Sequence, residues 1–222
     1  MKSDSSRMYF KSKRNAVRLN VHNIVEKQHN NPESARFESN RLALLHNKGL
    51  AVPKLLSVRD NVIEMEYVHA ITLPDLIDAW EKNPDPDAQT MVAEGLVNWL
   101  KKYYEIMNPE TRGDINGRNF LFDNKQVWGV DFEEPGHSTI LEDIGLLLAY
   151  ILTYSPKFTL IKEAFANQIV LHASEAFGIA TESVLQSQAA ALKMLYSRRK
   201  RIKRMESHLH KAYADALANR RI

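Results

Sequence analysis

With 222 residues, 44% of them hydrophobic and 26% charged, the chain has the makeup of a soluble globular protein, long enough for one domain of two lobes or for two small domains. The absence of cysteine excludes disulfides and thiolate metal sites, and no apolar run reaches the length of about 18 residues that a spanning helix needs. The net charge is only +3, but positive residues cluster in "KSKR" near the start and in "SRRKRIKR" at 197–204. The second run reads either as the solvated face of a C-terminal helix or as an electrostatic footprint for RNA, an acidic protein or membrane phosphates. The polar beginning, "MKSDSSRMYFKSKRN", lacks the apolar core of a signal peptide, so a cytoplasmic protein is expected.

Along the chain, "RMYF", "AVRLNV" and "NIVEKQH" predict three short strands, with a tight turn at "HN". The segment "NNPESARFESNRLALLHNKG" predicts a helix of about four turns: Asn31 suits the cap, Pro32 the first helical position and Gly49 a left-handed end. "VPKLLSV" and "VIEMEYV" predict a hairpin turned at "RDN". From residue 69 the pattern becomes helical. "ITLPDLIDAW" predicts a short helix, "NPDPD" a break, and residues 88–107 a helix with Met91, Val92, Leu96, Val97, Leu100, Tyr103 and Met107 on one stripe. Two short strands, "NFLFD" and "VWGVDF", precede helices at "LEDIGLLLAYIL", at 157–177 and at about 181–218. This order implies a small β-rich lobe with one helix, residues 1–68, hinged onto a helical lobe, residues 69–222, rather than an alternating parallel α/β sheet.

The stretch "TRGDINGRNFLFDNKQVWGVDFEE" holds the candidate chemistry. Its Arg-Gly-Asp tripeptide matches an adhesion signal, but neither a secretion signal nor cysteines accompany it. Asp114 and Asn119 lie five residues apart in a loop, and Asp131 ends the following strand. A hairpin would bring Asn119 and Asp131 together at its open end as hard oxygen ligands, a set suited to Mg²⁺ carrying phosphates. Asp114 would then be placed to accept a proton from a hydroxyl. Asp and Asn also populate turns for purely local bonding, so this stretch alone leaves both readings open. Lys27, on the third strand, and Glu38, on the first long helix, add a phosphate-binding lysine and the carboxylate that would steady it.

These residues, in this order, resemble the protein-kinase-like superfamily, and within it the compact branch of aminoglycoside and choline phosphotransferases. That branch has a catalytic loop H-G-D-x-x-x-x-N and a metal loop I-D-F/W-E, which here read "RGDINGRN" and "GVDFE". "VIEMEYV" resembles the hinge strand, and "EDIGLLL" the helix that follows the metal loop. The resemblance implies a bilobal α+β fold and an ATP- and Mg²⁺-dependent transfer of a phosphoryl group to a hydroxyl. In it Lys27 would contact the α- and β-phosphates, held by Glu38, and Met65 would be the gatekeeper. The backbone of Glu66 and Val68 would bond the adenine, Asp114 would be the base, Asn119 and Asp131 the metal ligands, and Asp143 a brace beneath the catalytic loop.

Three departures stand out. Residues 11–15, "KSKRN", lack the glycines of a phosphate loop, so Ser12, Asn15 and basic side chains would have to substitute. Arg112 stands where His is usual, available to pair with Asp131 or a substrate phosphate. Asn116 replaces the Lys common in protein kinases, and Arg118 is close enough in sequence to compensate. The "EE" after Phe132 reads as a polar strand end or as a device for cationic substrates. A small-molecule acceptor is favoured over a protein. The alternatives are a catalytically weak nucleotide-binding module, and a protein kinase or ATPase similar to the small kinase of the KEOPS complex, with RNA-associated partners reached through 197–204.

Overall fold

Strands alternate buried and open side chains at "VIEME" because only one face of the sheet packs on the core. The computed structural model describes residues 8–10 and 15–198. Five antiparallel strands, Met8–Phe10 (β1), Ala16–Leu19 (β2), Ile24–Gln28 (β3), Leu55–Arg59 (β4) and Val62–Glu66 (β5), form a sheet in the order β1-β2-β3-β5-β4. The β2–β3 turn is made by Asn23 at φ 56° and by the Asn20 side chain, which accepts from the N–H groups of His22 and Ile24. Lys27 pairs with Ile63 in the middle of the sheet.

The helix Pro32–Asn47 (α1) starts where Asn31 accepts from Ser34 N–H, and Gly49 follows it at φ +72°. Its inner face buries Ala35, Glu38, Leu42 and Leu45, the i, i+3, i+4 spacing of a packed stripe.

Residues 67–70 connect β5 to a second antiparallel sheet, Ile71–Thr72 (β6), Phe120–Phe122 (β7) and Val127–Gly129 (β8), in chain order. The helix expected from residue 71 therefore begins later, at Leu73–Lys82 (α2). Thr72 stays extended because its hydroxyl caps Asp75 N–H, and Pro74 fits only the first turn. The next helix, Pro86–Met107 (α3), begins two residues earlier than expected, because Asp85 caps it and Pro86 needs no N–H partner there. Its stripe also differs: Met91 is 49% exposed, and Trp99 and Tyr104 are buried instead. Asp131 does not end a strand. β8 stops at Gly129, and Asp131 follows with φ 66°.

The helices Ile140–Thr153 (α4), Leu160–Phe177 (α5) and Thr181–Arg198 (α6) complete the second half. A capping box between Thr139 and Glu142 starts α4, and Thr159 starts α5, three residues later than expected. Gly145 lets α6 approach α4 closely: a Cβ there would lie 2.3 Å from the Ser187 hydroxyl. The fully buried Lys162 of α5 bonds Glu81 of α2 at 2.7 Å and the Pro156 carbonyl at 2.7 Å. Ser12 and the basic run beyond Arg198, with the remainder of the expected 181–218 helix, lie outside the described residues. Among the described residues no helix is long and apolar enough to cross a membrane.

Candidate active site

The inner face of β3 carries Lys27, and His29, just past the end of the strand, is buried close by. Both reach Glu38 on α1. The Lys27 ammonium lies 2.8 Å from Glu38 Oε2, and His29 Nε2 lies 3.1 Å from the same oxygen. Glu38 Oε1 also accepts from the N–H of Phe132, at 3.2 Å. One buried carboxylate thus ties the lysine, the histidine and the backbone just past Asp131 together. Its own burial works against ionisation, but the contact with His29 and the charge of Lys27 leave it below the usual glutamate range.

Lys27 has two further partners, Asp131 at 2.7 Å and Glu133 at 2.6 Å. Burial opposes its charge, but Glu38, Asp131 and Glu133 together raise it above the ordinary lysine value. The Asp131 and Glu133 carboxylates face each other and separate in acidity. Asp131 is lowered, because Lys27 outweighs its burial, while burial together with the neighbouring Asp131 charge keeps Glu133 raised. Asn15, at the start of β2, donates to the same Glu133 oxygen. Asn15 is thereby fastened to the segment after Asp131.

The loop after α3 brings the other candidates into place. Val130 N–H donates to Asn119 O at 2.9 Å, so the loop end and the segment after β8 run together. The Asn119 amide donates to Asp114 O at 3.1 Å, which turns its oxygen the other way. Asn119, Asp131 and Glu133 carry oxygens of the hard kind that could hold Mg²⁺. Asp114 itself is exposed, between the buried Arg112 and Ile115. Among the described residues Arg112 makes no ion pair with the Asp131 carboxylate. Its guanidinium is 1% exposed and donates to the backbone carbonyls of Val130 at 2.6 Å and Asp131 at 2.8 Å. It lies 4.5 Å from the centroid of the Phe132 ring. These carbonyls are close because the backbone turns left-handed at Asp131.

Asp143, at the start of α4, accepts from the backbone N–H groups of Arg112 at 2.9 Å and Gly113 at 3.4 Å, and from Tyr104 and Ser138 hydroxyls. Gly113 has φ +70°, and a Cβ there would lie 2.8 Å from Gly136. At the other side of the cleft, Met65 is buried at the end of β5. The Glu66 N–H is engaged by Lys54 O at 3.0 Å, and the Val68 carbonyl accepts from Ala70 N–H at 2.9 Å. Arg118 is exposed on the 3₁₀ turn Gly117–Asn119, and its backbone N–H donates to Asn116.

A family model described as the RIO domain matches residues 3–135, which span both sheets and every candidate catalytic and metal residue. The chain belongs to the RIO domain family. No curated protein matches it. Among solved structures, a choline/ethanolamine kinase family protein from Mesorhizobium loti superposes with a TM-score of 0.51 at 11% identity, over 99% of this chain and 89% of that one. That likeness is one of fold. This RIO domain therefore has the α+β, protein-kinase-like architecture: a small antiparallel sheet with one long helix, joined to a mainly helical part.

Sequence reasoning missed His29, Arg41 and Tyr154 around the cleft of this RIO domain, and read Glu133 only as a polar strand end or a device for cationic substrates. His29 and Glu133 each contact the Lys27 cluster. Arg41, three residues from Glu38 on α1, bonds Glu110 and, at 3.1 Å, the Glu134 carbonyl. Tyr154 touches the loop between Asp114 and Asn119 from the end of α4. A signal existed for two of them. Lys27-x-His29 places two side chains on one face of the expected strand, and Glu38-x-x-Arg41 places two on one helix face.

Proposed function

We propose that the chain transfers the γ-phosphoryl group of ATP to a hydroxyl acceptor, a small molecule in preference to a protein. The observation that carries this reading is the Lys27 ammonium, bonded at once to Glu38 and Asp131. A buried lysine steadied by a helix carboxylate and facing a metal-type aspartate suits the triphosphate of a nucleotide. Lys27 would hold the α- and β-phosphate oxygens, while the backbone beyond Met65 receives the adenine. Asn119, Asp131 and Glu133 would hold Mg²⁺, which supplies charge neutralisation on the phosphate oxygens. Asp114 accepts the proton of the acceptor hydroxyl as its oxygen bonds the γ-phosphorus. The bond from that phosphorus to the β–γ bridging oxygen breaks, and ADP leaves with the electron pair.

The small-molecule preference is supported by Asn116 in the position where protein kinases commonly carry Lys, and by the two acidic residues after Phe132. The test is ATP consumption across aminoglycosides, amino alcohols, sugars, lipid headgroups and generic protein substrates, with Asp114→Asn as the control. Turnover with one class, reduced about a thousandfold or more in the variant with nucleotide binding kept, supports the assignment. Full turnover in Asp114→Asn overturns the assignment of the base.

A second reading is favoured by one observation. Glu133 holds Lys27 at 2.6 Å, so phosphates must displace it. A nucleotide-binding module with weak turnover fits that arrangement, and calorimetry showing tight ATP binding without consumption on any acceptor would favour it.

A further inference from the structure

Two side chains of α4 support the loop that carries Asp114, one on each side of it. Asp143, in the first turn, takes the N–H groups of Arg112 and Gly113. Tyr154, the residue that caps the helix at its other end, reaches the far side. Its hydroxyl accepts from Gly117 N–H at 3.0 Å and donates to Asn116 Oδ1 at 2.9 Å. The same Asn116 oxygen accepts from Arg118 N–H at 3.0 Å, so the hydroxyl closes a small ring of bonds over the 3₁₀ turn. A helix of this length is a rigid spacer of about 16 Å between positions 143 and 154. It is buried along most of its length and packed against α6 through the Gly145–Ser187 contact.

Gly117 is a glycine for a reason visible in this contact. Its backbone is not left-handed, yet a Cβ there would lie 2.8 Å from the Tyr154 hydroxyl and 3.3 Å from the ring carbon beside it. The phenol occupies the place a side chain would take. Burial raises the Tyr154 hydroxyl above the usual phenol value, while the Gly117 N–H and the charge of Arg118 oppose that rise. It therefore stays protonated and keeps its donor for Asn116.

We propose that Tyr154 is a positioning residue of the catalytic loop, its hydroxyl setting the separation between the base Asp114 and the metal ligand Asn119. Asp114 and Asn119 flank the two residues that it bonds. Without the hydroxyl the 3₁₀ turn has no fixed height above α4, and Asn119 no longer aims at the cleft at the distance set by Asp143. This inference rests on the reading of Asp114 as the base, and it adds a determinant that the motif residues do not contain.

The test uses the full chain and the variants Tyr154→Phe, Gly117→Ala, the double variant and Asp114→Asn. Tyr154→Phe is expected to lower kcat about tenfold and leave KM for ATP within about twofold, because the loop is displaced and the Lys27 end is not. Gly117→Ala is expected to lose about a hundredfold, since its methyl group meets the hydroxyl. The double variant should recover to the level of Tyr154→Phe, as removal of the oxygen opens the space. That recovery reports the contact between methyl and hydroxyl, the fall in kcat at unchanged KM reports the positioning role, and losses that simply multiply overturn the proposal. Exchange of the Gly117 amide hydrogen, followed by NMR, gives a readout that needs no acceptor. Faster exchange in Tyr154→Phe at an unchanged urea midpoint is expected, and unchanged exchange overturns the proposal. Unaltered kcat in Tyr154→Phe beside a dead Asp114→Asn sinks this inference alone. Full turnover in Asp114→Asn sinks the assignment of the base instead.

Discussion

The Arg112 guanidinium lies over the Phe132 ring, 4.5 Å from its centroid, and donates to the two carbonyls that precede that ring in the chain. An arginine can do this where a histidine is usual because its planar fork spans two acceptors while its face covers an aromatic ring. Its removal would leave the half-buried Val130 and Asp131 carbonyls without these donors. Arg112→Ala is expected to cost about 3 kcal/mol in urea unfolding. Arg112→Lys should fall between the two, since an ammonium lacks the fork. An unchanged midpoint for the alanine variant would mean that Asp131 keeps its left-handed turn without help.

Glu38 makes stability depend on pH in a defined direction. Burial disfavours its charge, but His29 and Lys27 leave its folded pKa below the ordinary 4.5. A carboxylate depressed on folding contributes stability that is complete above the unfolded value and lost as pH falls through the folded one. Unfolding free energy should therefore decline below about pH 4.5, with Glu38→Gln showing a shallower decline over the same range. Equal slopes in the two proteins would show that other carboxylates govern the acid limb. His29→Ala should move the Glu38 transition upward, because it removes one of the two stabilising partners.

Glu133 is expected to have opposite effects with and without metal. It holds the ammonium that the phosphates would need, so in EDTA Glu133→Gln should bind ATP about fivefold more tightly than the parent. With Mg²⁺ present it replaces a carboxylate proposed to hold the metal by a neutral amide, and half-saturation should need more metal. Calorimetric titration under the two conditions checks both signs. Weaker ATP binding in EDTA would show that Glu133 does not compete with phosphate.

The Lys162–Glu81 pair predicts a loss of stability far from the cleft. Lys162 is fully buried, while the Glu81 side chain is 18% exposed and also takes the Thr159 hydroxyl. Glu81→Ala leaves the ammonium with the Pro156 carbonyl as its remaining acceptor among the described residues. The expected cost is about 3 kcal/mol, read from urea unfolding, with nucleotide affinity unchanged. A coupled loss of ATP affinity would mean that α2 and α5 control the cleft.

The order of strands and helices was legible in the sequence because each element carries its own local signal. Alternation marks β5 and Asn31-Pro32 opens α1, whereas Asp85-Pro86, read as part of a break, opens α3 two residues before the expected start. Where the sequence reading erred, at Ile71–Thr72 and at Asp131, a local pattern yielded to a partner elsewhere in the chain: β7 for the first, Arg112 for the second.

By itself the sequence determined the spacing of Asp114, Asn119 and Asp131, the strand that bears Lys27 and the helix that bears Glu38. Spacing and periodicity are local, and local geometry is written in neighbouring residues. Only the tertiary structure decided that Lys27 meets Asp131, that Arg41 bonds Glu110 and the Glu134 carbonyl, and that Tyr154 sits beneath Gly117. Those pairs lie tens of residues apart in the chain, and their contact depends on how the described sheets and helices pack. No run of neighbouring residues records that packing.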